Sequence, residues 1–86
     1  MSPKPKVFRV LRMDTIMSSD SFWAFWVEEV PSGTLALVVD NEVGGRSLGV
    51  GDKIICLRAR TTRDRYNERY LKITEWVYPD ELEKND

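Results

Sequence analysis

Two apolar segments separated by a short turn sequence, within residues 22–40, constrain the fold of this 86-residue chain more than any other feature. The first, FWAFWVEEV (22–30), and the second, TLALVVD (34–40), are rich in the aromatic and aliphatic residues that favour strands. Between them, PSG (31–33) contains a proline and a glycine, which favour tight turns. The pattern predicts a β-hairpin in which Gly33 permits the turn.

Three further segments have the character of strands. They are VFRVLRMDTI (7–16), KIICLRAR (53–60) and YLKITEWVY (70–78), with MSSDS (17–21), NEVGGRSLGVGD (41–52) and TTRDRYNER (61–69) as the predicted connections. An open sheet of this size would expose two long edges, and closure removes them. We therefore predict an all-β, five-stranded barrel over residues 7–78, with a short glycine-rich linker between strands three and four. A flexible N-terminus (1–6) and an acidic tail (79–86), with at most one helical turn, complete the predicted organisation.

The composition argues against catalysis and against a metal site. The chain has no histidine and a single cysteine, Cys56, so a zinc site of the usual kind and a Ser/His/Asp triad are not expected. No glycine motif has the spacing of a phosphate-binding loop. We expect a protein that is not an enzyme and has no cofactor. The apolar runs are short of the roughly 20 residues that a membrane helix needs, and Cys56 cannot form an internal disulfide, so an intracellular protein (cytoplasm or nucleus) without membrane association is expected.

Charge is distributed unevenly along the chain. Residues 58–72 carry six basic and two acidic side chains, a net of +4, and the rest of the chain carries seven basic and twelve acidic, a net of −5. The basic set is Arg58, Arg60, Arg63, Arg65, Arg69 and Lys72, with Tyr66 and Tyr70 interleaved. Arginine pairs with phosphates and stacks on bases, and an aromatic ring can stack a base for about 1–3 kcal/mol. The alternative is a solvated hairpin whose arginines pair with Asp64 and Glu68.

The aromatic cluster FWAFW (22–26) exceeds what one face of a small barrel can bury. Alternation places Phe22 and Trp26 on one face and Trp23 and Phe25 on the other. Because Glu28 continues the first face, we predict that Phe22 and Trp26 lie on the outside, where they could stack a base or contact a protein. The same alternation predicts that Trp76 and Tyr78 share a polar face of strand five with Tyr70 and Lys72.

Three segments together resemble an OB-fold of the type found in replication protein A and related single-strand-binding proteins. They are EEVPSGTLALVVD, LGVGDKIICLRA and YLKITEW, and in the second of them Leu48, Gly51, Asp52 and Ile54 match the pattern (L/I)xxGDxI. The resemblance covers about residues 7–78. It implies that strands two and three form a platform, and that MSSDS and TTRDRYNER are the loops that clamp single-stranded nucleic acid. Because the third connection is short and glycine-rich, the helix that usually closes one barrel end is expected to be reduced or absent.

Two hypotheses of function follow. In the first, the chain binds single-stranded DNA or RNA. The predicted contacts are Phe22, Trp26, Arg58, Arg60, Arg63, Arg65, Tyr66, Arg69 and Lys72. In the second, it is a small non-catalytic OB subunit whose exposed aromatic residues mediate self-association or protein contacts in a replication, repair or telomere-type complex. An SH3-like adaptor unrelated to nucleic acid is a third possibility.

Overall fold

The computed structural model describes residues 5–18, 22–40 and 47–84. Its elements are β1 (Lys6–Met13), β2 (Trp23–Val30), β3 (Leu35–Asp40), β4 (Lys53–Arg63), β5 (Arg69–Val77) and α1 (Pro79–Lys84). The strands form a closed barrel in the order β1-β2-β3-β5-β4. Neighbouring strands are antiparallel except β3 and β5, which pair in parallel. The predicted all-β five-stranded barrel is confirmed, and it is compatible with an OB-fold.

The predicted hairpin joins β2 and β3. The two strands pair from Trp23 with Asp40 to Glu28 with Leu35. At the turn, the Gly33 N–H donates to the Glu29 carbonyl at 2.7 Å, and Gly33 has a φ of 81°. Only glycine adopts this backbone region readily, so the sequence feature that identified the turn is also its physical requirement. The Val30–Pro31 peptide bond is cis.

The barrel interior is filled by apolar side chains from all five strands. The cluster consists of Phe8, Val10, Phe25, Val27, Ala36, Val38, Leu48, Ile54, Ile73 and Tyr78. Phe25 and Val27 alternate with Trp26, so Trp26 points away from this core. Trp23, on the same side as Phe25 but at the end of β2, remains 47% exposed.

The connection into β4 is tied to the barrel at its glycine-rich end. Leu48 is buried in the core, and its N–H donates to a carboxylate oxygen of the buried Asp40 at 2.8 Å. Gly51 has a φ of 92°, and its N–H donates to the Val10 carbonyl at 2.8 Å. The chain therefore turns sharply at Gly51-Asp52 before it enters β4. Residues 41–46 of the same connection lie outside the described residues.

Several strand boundaries differ from the sequence prediction. β1 ends at Met13 rather than at residue 16, because the Asp14 carboxylate accepts hydrogen bonds from the backbone of Ile16 and Met17 and turns the chain. β4 continues to Arg63 rather than to residue 60, and β5 begins at Arg69. The segment 61–69, predicted as a loop, thus contributes residues 61–63 and 69 to paired strands, around a short turn at residues 64–68. At the N-terminus, β1 includes Lys6, one residue more than predicted.

The prediction that Trp76 and Tyr78 share a face with Tyr70 and Lys72 is wrong. Between Cys56 and Ala59 the β4–β5 register shifts twice, which leaves Leu57 as an extra residue in β4 and Thr74 as one in β5. The shift turns both Ile73 and Trp76 toward the core, where the Trp76 and Tyr78 rings meet edge to face at 5.1 Å. In β4, the inward residues are Ile54 and Cys56 before the shift and Ala59 after it, whereas unbroken alternation would place Ala59 with Ile55.

The described part of the chain ends in the short helix α1, within the segment predicted as an acidic tail. Residues 1–4, 19–21 and 85–86, on which parts of the predicted terminus, first turn and tail fall, lie outside the described residues. Across the part of the chain that is described, no helix has the length and apolarity needed to cross a membrane.

Candidate functional site

One row of outward side chains crosses all five strands of the barrel. The pairing register places Arg12 opposite Trp26, Trp26 opposite Leu37, Leu37 opposite Lys72 and Lys72 opposite Arg60. Because residues paired across a sheet point to the same face, these five side chains form a continuous stripe with a cation at one end and two at the other. We call this outer surface, together with Tyr70, the platform.

Packing fixes the middle of the platform. Leu37 is only 2% exposed although it points away from the core, since Trp26 and Lys72 flank it on the neighbouring strands. The rings of Trp26 and Tyr70 meet edge to face with centroids 6.3 Å apart. Such edge-to-face pairs add about 0.5–1.5 kcal/mol beyond burial. The platform therefore presents an aromatic ring held in one orientation, which is what a stacking surface requires.

The β1–β2 loop is organised by the carboxylate of Asp14. One of its oxygens accepts the N–H groups of Ile16 and Met17 at 2.9 and 3.0 Å, and the other accepts the indole N–H of Trp26 at 2.8 Å. A single side chain thus shapes the loop and ties it to the platform. The same contacts, led by the hydrogen bond from Met17, hold the pKa of Asp14 below its ordinary value, and Arg12 adds to the effect.

A second carboxylate organises the β4–β5 turn in the same manner. The Asp64 side chain accepts the N–H groups of Tyr66 and Glu68 at 2.8 and 3.0 Å. Asn67, with a φ of 65°, reverses the chain in the left-handed region that asparagine tolerates. At the tip, the Arg65 guanidinium lies 5.5 Å from the centroid of the Tyr66 ring. Of the two acidic residues within the basic sequence, Asp64 and Glu68, the first has a structural role, because its side chain shapes the turn that carries Arg65 and Tyr66.

The loop and the turn enclose a cleft of about 480 Å³ over one end of the platform. Its lining consists of Asp14, Ile16, Met17, Trp26, Asp64, Arg65 and Tyr66. Ile16 and Tyr66 are 79% and 75% exposed, so the walls of the cleft present apolar surface to solvent. Trp26 belongs to both the cleft and the cross-strand row. A ligand lying across the platform would therefore reach the cleft without a break.

The predicted arginines do not form one surface. Ile73 lies in the core and Ala59 pairs with it, which sets the alternation of the two strands. Arg60 and Lys72 therefore point to the platform, while Arg63 and Arg69, which pair with each other, point to the opposite face of the hairpin. Arg63 also donates to the carbonyl and side-chain oxygens of Asn67 at 3.1 and 3.2 Å.

Two other predicted contacts are separated from the cleft. Arg58 makes an exposed ion pair with Glu75 at 3.2 Å. Phe22 lines a different cleft, beside Val39, Lys72 and Thr74. Of the nine predicted residues, the structure brings Trp26, Arg65 and Tyr66 together in the cleft and adds Arg60 and Lys72 on the adjoining platform.

Several residues of this surface were missed from the sequence. Arg12, Asp14, Ile16 and Met17 lie in the segment that the sequence assigns to the end of strand one and the turn after it. An aspartate at the end of an apolar strand, followed by Thr15 and two serines, is the available signal, because aspartate side chains commonly turn the backbone two residues on. Arg12 had no such signal, since its place opposite Trp26 depends on an extra residue, Leu11, that shifts the register of β1 against β2.

Cys56 lies beside the core rather than at this surface. It is partly buried and packs against the apolar cluster. Burial raises the pKa of its thiol, which favours the protonated form near neutral pH. The side chain thus contributes packing, as the apolar neighbours in KIICLRAR predict.

No family model, curated protein or solved structure shows significant similarity to the chain. Function is therefore inferred from the geometry of the platform and the cleft.

Proposed function

We propose that this protein binds single-stranded nucleic acid across the platform, with a base in the cleft between the β1–β2 loop and the β4–β5 turn. The observation that carries the proposal is the row Arg12, Trp26, Leu37, Lys72 and Arg60, which joins an oriented aromatic ring to cations on both sides. Single-strand binders combine a basic track for the backbone with rings on which bases stack. The resemblance to OB domains of the replication protein A type agrees with this use of strands two and three and of the two loops.

In this arrangement each group has a separate role. Trp26 and Tyr66 offer rings to bases, while Arg12, Lys72 and Arg60 neutralise phosphates. Asp14 and Asp64 accept backbone N–H groups, so their charge is partly balanced within the loops themselves. Since these contacts involve ring faces and phosphates rather than base edges, binding is expected to show little sequence preference. The protein acts without catalysing a reaction.

The experiment compares two double variants that remove the same charge. Arg60→Ala/Lys72→Ala removes two cations from the platform, and Arg63→Ala/Arg69→Ala removes two from the opposite face of the hairpin. Fluorescence anisotropy with labelled single-stranded DNA and RNA of about 12 nucleotides, at low salt, measures the affinity. We expect the platform variant to weaken binding by roughly tenfold or more and its matched control to weaken it far less, because phosphate contacts depend on position.

Two results would count against the proposal. One is the absence of binding to either oligonucleotide at low salt. The other is an equal loss in both double variants, which would mean that the oligonucleotide responds only to net charge. Circular dichroism of each variant checks that the barrel is intact.

Protein docking is the second candidate, and the exposed apolar walls of the cleft favour it. Ile16 and Tyr66 present large apolar surfaces to solvent, and Asp14 and Asp64 beside them would repel phosphates. In that case the domain is a non-catalytic subunit of a larger assembly. Salt separates the two candidates, since phosphate binding weakens steeply as salt rises and apolar docking does not.

A further inference from the structure

The second half of β4 has an unpaired edge within the described part of the chain. β1 pairs with β4 only from Lys6 opposite Cys56 to Arg9 opposite Lys53. Residues 57–63 continue along β5 on one side, and no described residue pairs with them on the other. We call this side of residues 57–63 the free edge. Unpaired N–H and C=O groups along such an edge are a template for another strand.

The free edge borders an opening into the barrel interior. Where β4 leaves β1, a cleft of about 530 Å³ forms, and its apolar lining includes Pro5, Phe8, Cys56, Leu57, Ala59 and Leu71. Leu57 is 53% exposed there. A strand added along the edge would lie over this cleft. Its inward side chains would pack on Ala59 and Leu71, so they should be apolar.

The charge of the free edge selects the added strand. Its sequence from residue 58 to 63, RARTTR, has three arginines and no acid. Two copies of the chain paired edge to edge would bring these arginines together, and like charges opposite each other destabilise a ladder. Arg58 and Arg60 point outward, on the same face of the sheet as their paired residues on β5, Glu75 and Lys72. Their ladder neighbours on an added strand should therefore be acidic.

We propose that the free edge of β4 binds an extended protein segment in which acidic and apolar residues alternate, adding it to the barrel as a further strand. Main-chain hydrogen bonds supply the affinity in this mode of recognition, and the alternating side chains supply specificity. The site shares only Arg60 with the platform, because it otherwise uses the edge of β4 rather than the outward faces of β1, β2, β3 and β5. The exposed Arg58–Glu75 pair does not prevent it, since exposed ion pairs contribute little and exchange partners readily.

The test uses a fluorescein-labelled, end-capped peptide in which Glu and Val alternate over seven positions. Three comparison peptides are a Lys/Val version, a version N-methylated at every residue and a version with the glutamates and valines in two blocks. In anisotropy titrations at low salt, we expect the Glu/Val peptide to bind and each comparison peptide to bind at least about tenfold more weakly, which corresponds to about 1.4 kcal/mol. N-methylation is the decisive comparison because it removes ladder donors and keeps every charge.

The position of the peptide is read from amide hydrogen exchange and from a variant. Binding should slow the exchange of amides within residues 57–63. Arg58→Glu should weaken the Glu/Val peptide by roughly tenfold and strengthen the Lys/Val peptide, with an unchanged NMR spectrum elsewhere in the barrel. In the Arg60→Ala variant, which removes the side chain that the two sites share, a labelled oligonucleotide already bound should stay bound when the peptide is added.

Four outcomes would overturn the proposal. The first two are no binding of the Glu/Val peptide at millimolar concentration and equal binding of the N-methylated peptide. The third is displacement of the oligonucleotide from the Arg60→Ala variant by the peptide. The fourth is slow amide exchange of residues 57–63 without any peptide, together with self-association measured by light scattering. The third would place the peptide on the platform and the fourth would make a second copy of the chain the occupant.

Discussion

Asp14 is the residue on which the geometry of the cleft depends most. Its two carboxylate oxygens serve two structures, the β1–β2 loop through Ile16 and Met17 and the platform through the indole of Trp26. A neutral side chain at this position cannot serve both in the same way. Asparagine can accept the two backbone N–H groups, but its amide nitrogen would then face the indole N–H, and two donors cannot bond.

Replacing Asp14 separates these two contributions. We expect Asp14→Ala to lower the free energy of unfolding by about 1–2 kcal/mol, because it removes three hydrogen bonds at a partly exposed site. Asp14→Asn should cost less and should still release the Trp26 indole. Denaturant titration measures the first effect, and the chemical shift and exchange rate of the indole N–H measure the second. An indole signal unchanged in both variants would contradict the role assigned to Asp14.

The lowered pKa of Asp14 predicts how its contribution varies with pH. A carboxyl whose folded pKa lies below its unfolded value stabilises the fold above the unfolded pKa, about 3.9 for aspartate, and loses that contribution as the pH falls through the folded pKa. The stability difference between the native chain and Asp14→Asn should therefore be constant from neutral pH down to about pH 5 and shrink below about pH 4. Denaturant titrations of both proteins across this range provide the measurement. If the stability difference between the two proteins stayed constant in acid, the charge of Asp14 would not contribute to the stability of the fold.

The β4–β5 hairpin is the element that divides the arginines between two faces. Composition alone predicts a basic loop at residues 61–69, but the strands extend to Arg63 and Arg69, and strand alternation then sends neighbouring arginines in opposite directions. The turn that makes this possible is shaped by Asp64 and by Asn67 at positive φ.

Asn67 provides a prediction about this element. Asn67→Gly and Asn67→Val both remove the side-chain oxygen that accepts from Arg63, but only valine disfavours the left-handed backbone. The free energy of unfolding of the Asn67→Val variant should therefore be about 1–2 kcal/mol lower than that of Asn67→Gly, as measured by thermal or denaturant unfolding. Because the turn carries Arg65 and Tyr66, the valine variant should also bind the oligonucleotide more weakly. Equal stability of the two variants would show that the turn relaxes to another conformation.

The elements also show where sequence patterns fail and why. The β2–β3 hairpin was predictable because glycine at positive φ and alternating apolar residues leave few other structures. The faces of β5 were not predictable, because the extra residues Leu57 and Thr74 each shift the pairing register of β4 and β5 by one residue. Within a strand, one extra residue moves every later side chain to the other face. Nothing in LRARTTR or ITEW indicates that shift locally. The cleft was missed for a related reason, since Asp14 and Met17 reach Trp26 only once β1 and β2 have paired.

For the whole molecule, the distribution of charge matters more than its total. The chain has a net charge of −1, yet the proposed binding surface carries cations from three strands in one row. A protein of this overall charge gains little from long-range attraction to a polyanion, so its affinity has to come from contacts at that row. The number of those contacts can be measured without any variant.

Salt dependence gives that number. If Arg12, Lys72 and Arg60 each neutralise one phosphate of a single strand, log K should fall with log salt with a slope of about −2, since each phosphate contributes about −0.7. Arg60→Ala/Lys72→Ala should reduce the slope to about −0.7, while Arg63→Ala/Arg69→Ala should leave it unchanged. Anisotropy titrations over a series of sodium chloride concentrations measure all three slopes. A native slope near −5 would instead mean that Arg12 and all six cations of residues 58–72 contact phosphate, so that the nucleic-acid strand wraps both faces of the hairpin. A slope near zero would favour docking of a protein in the cleft.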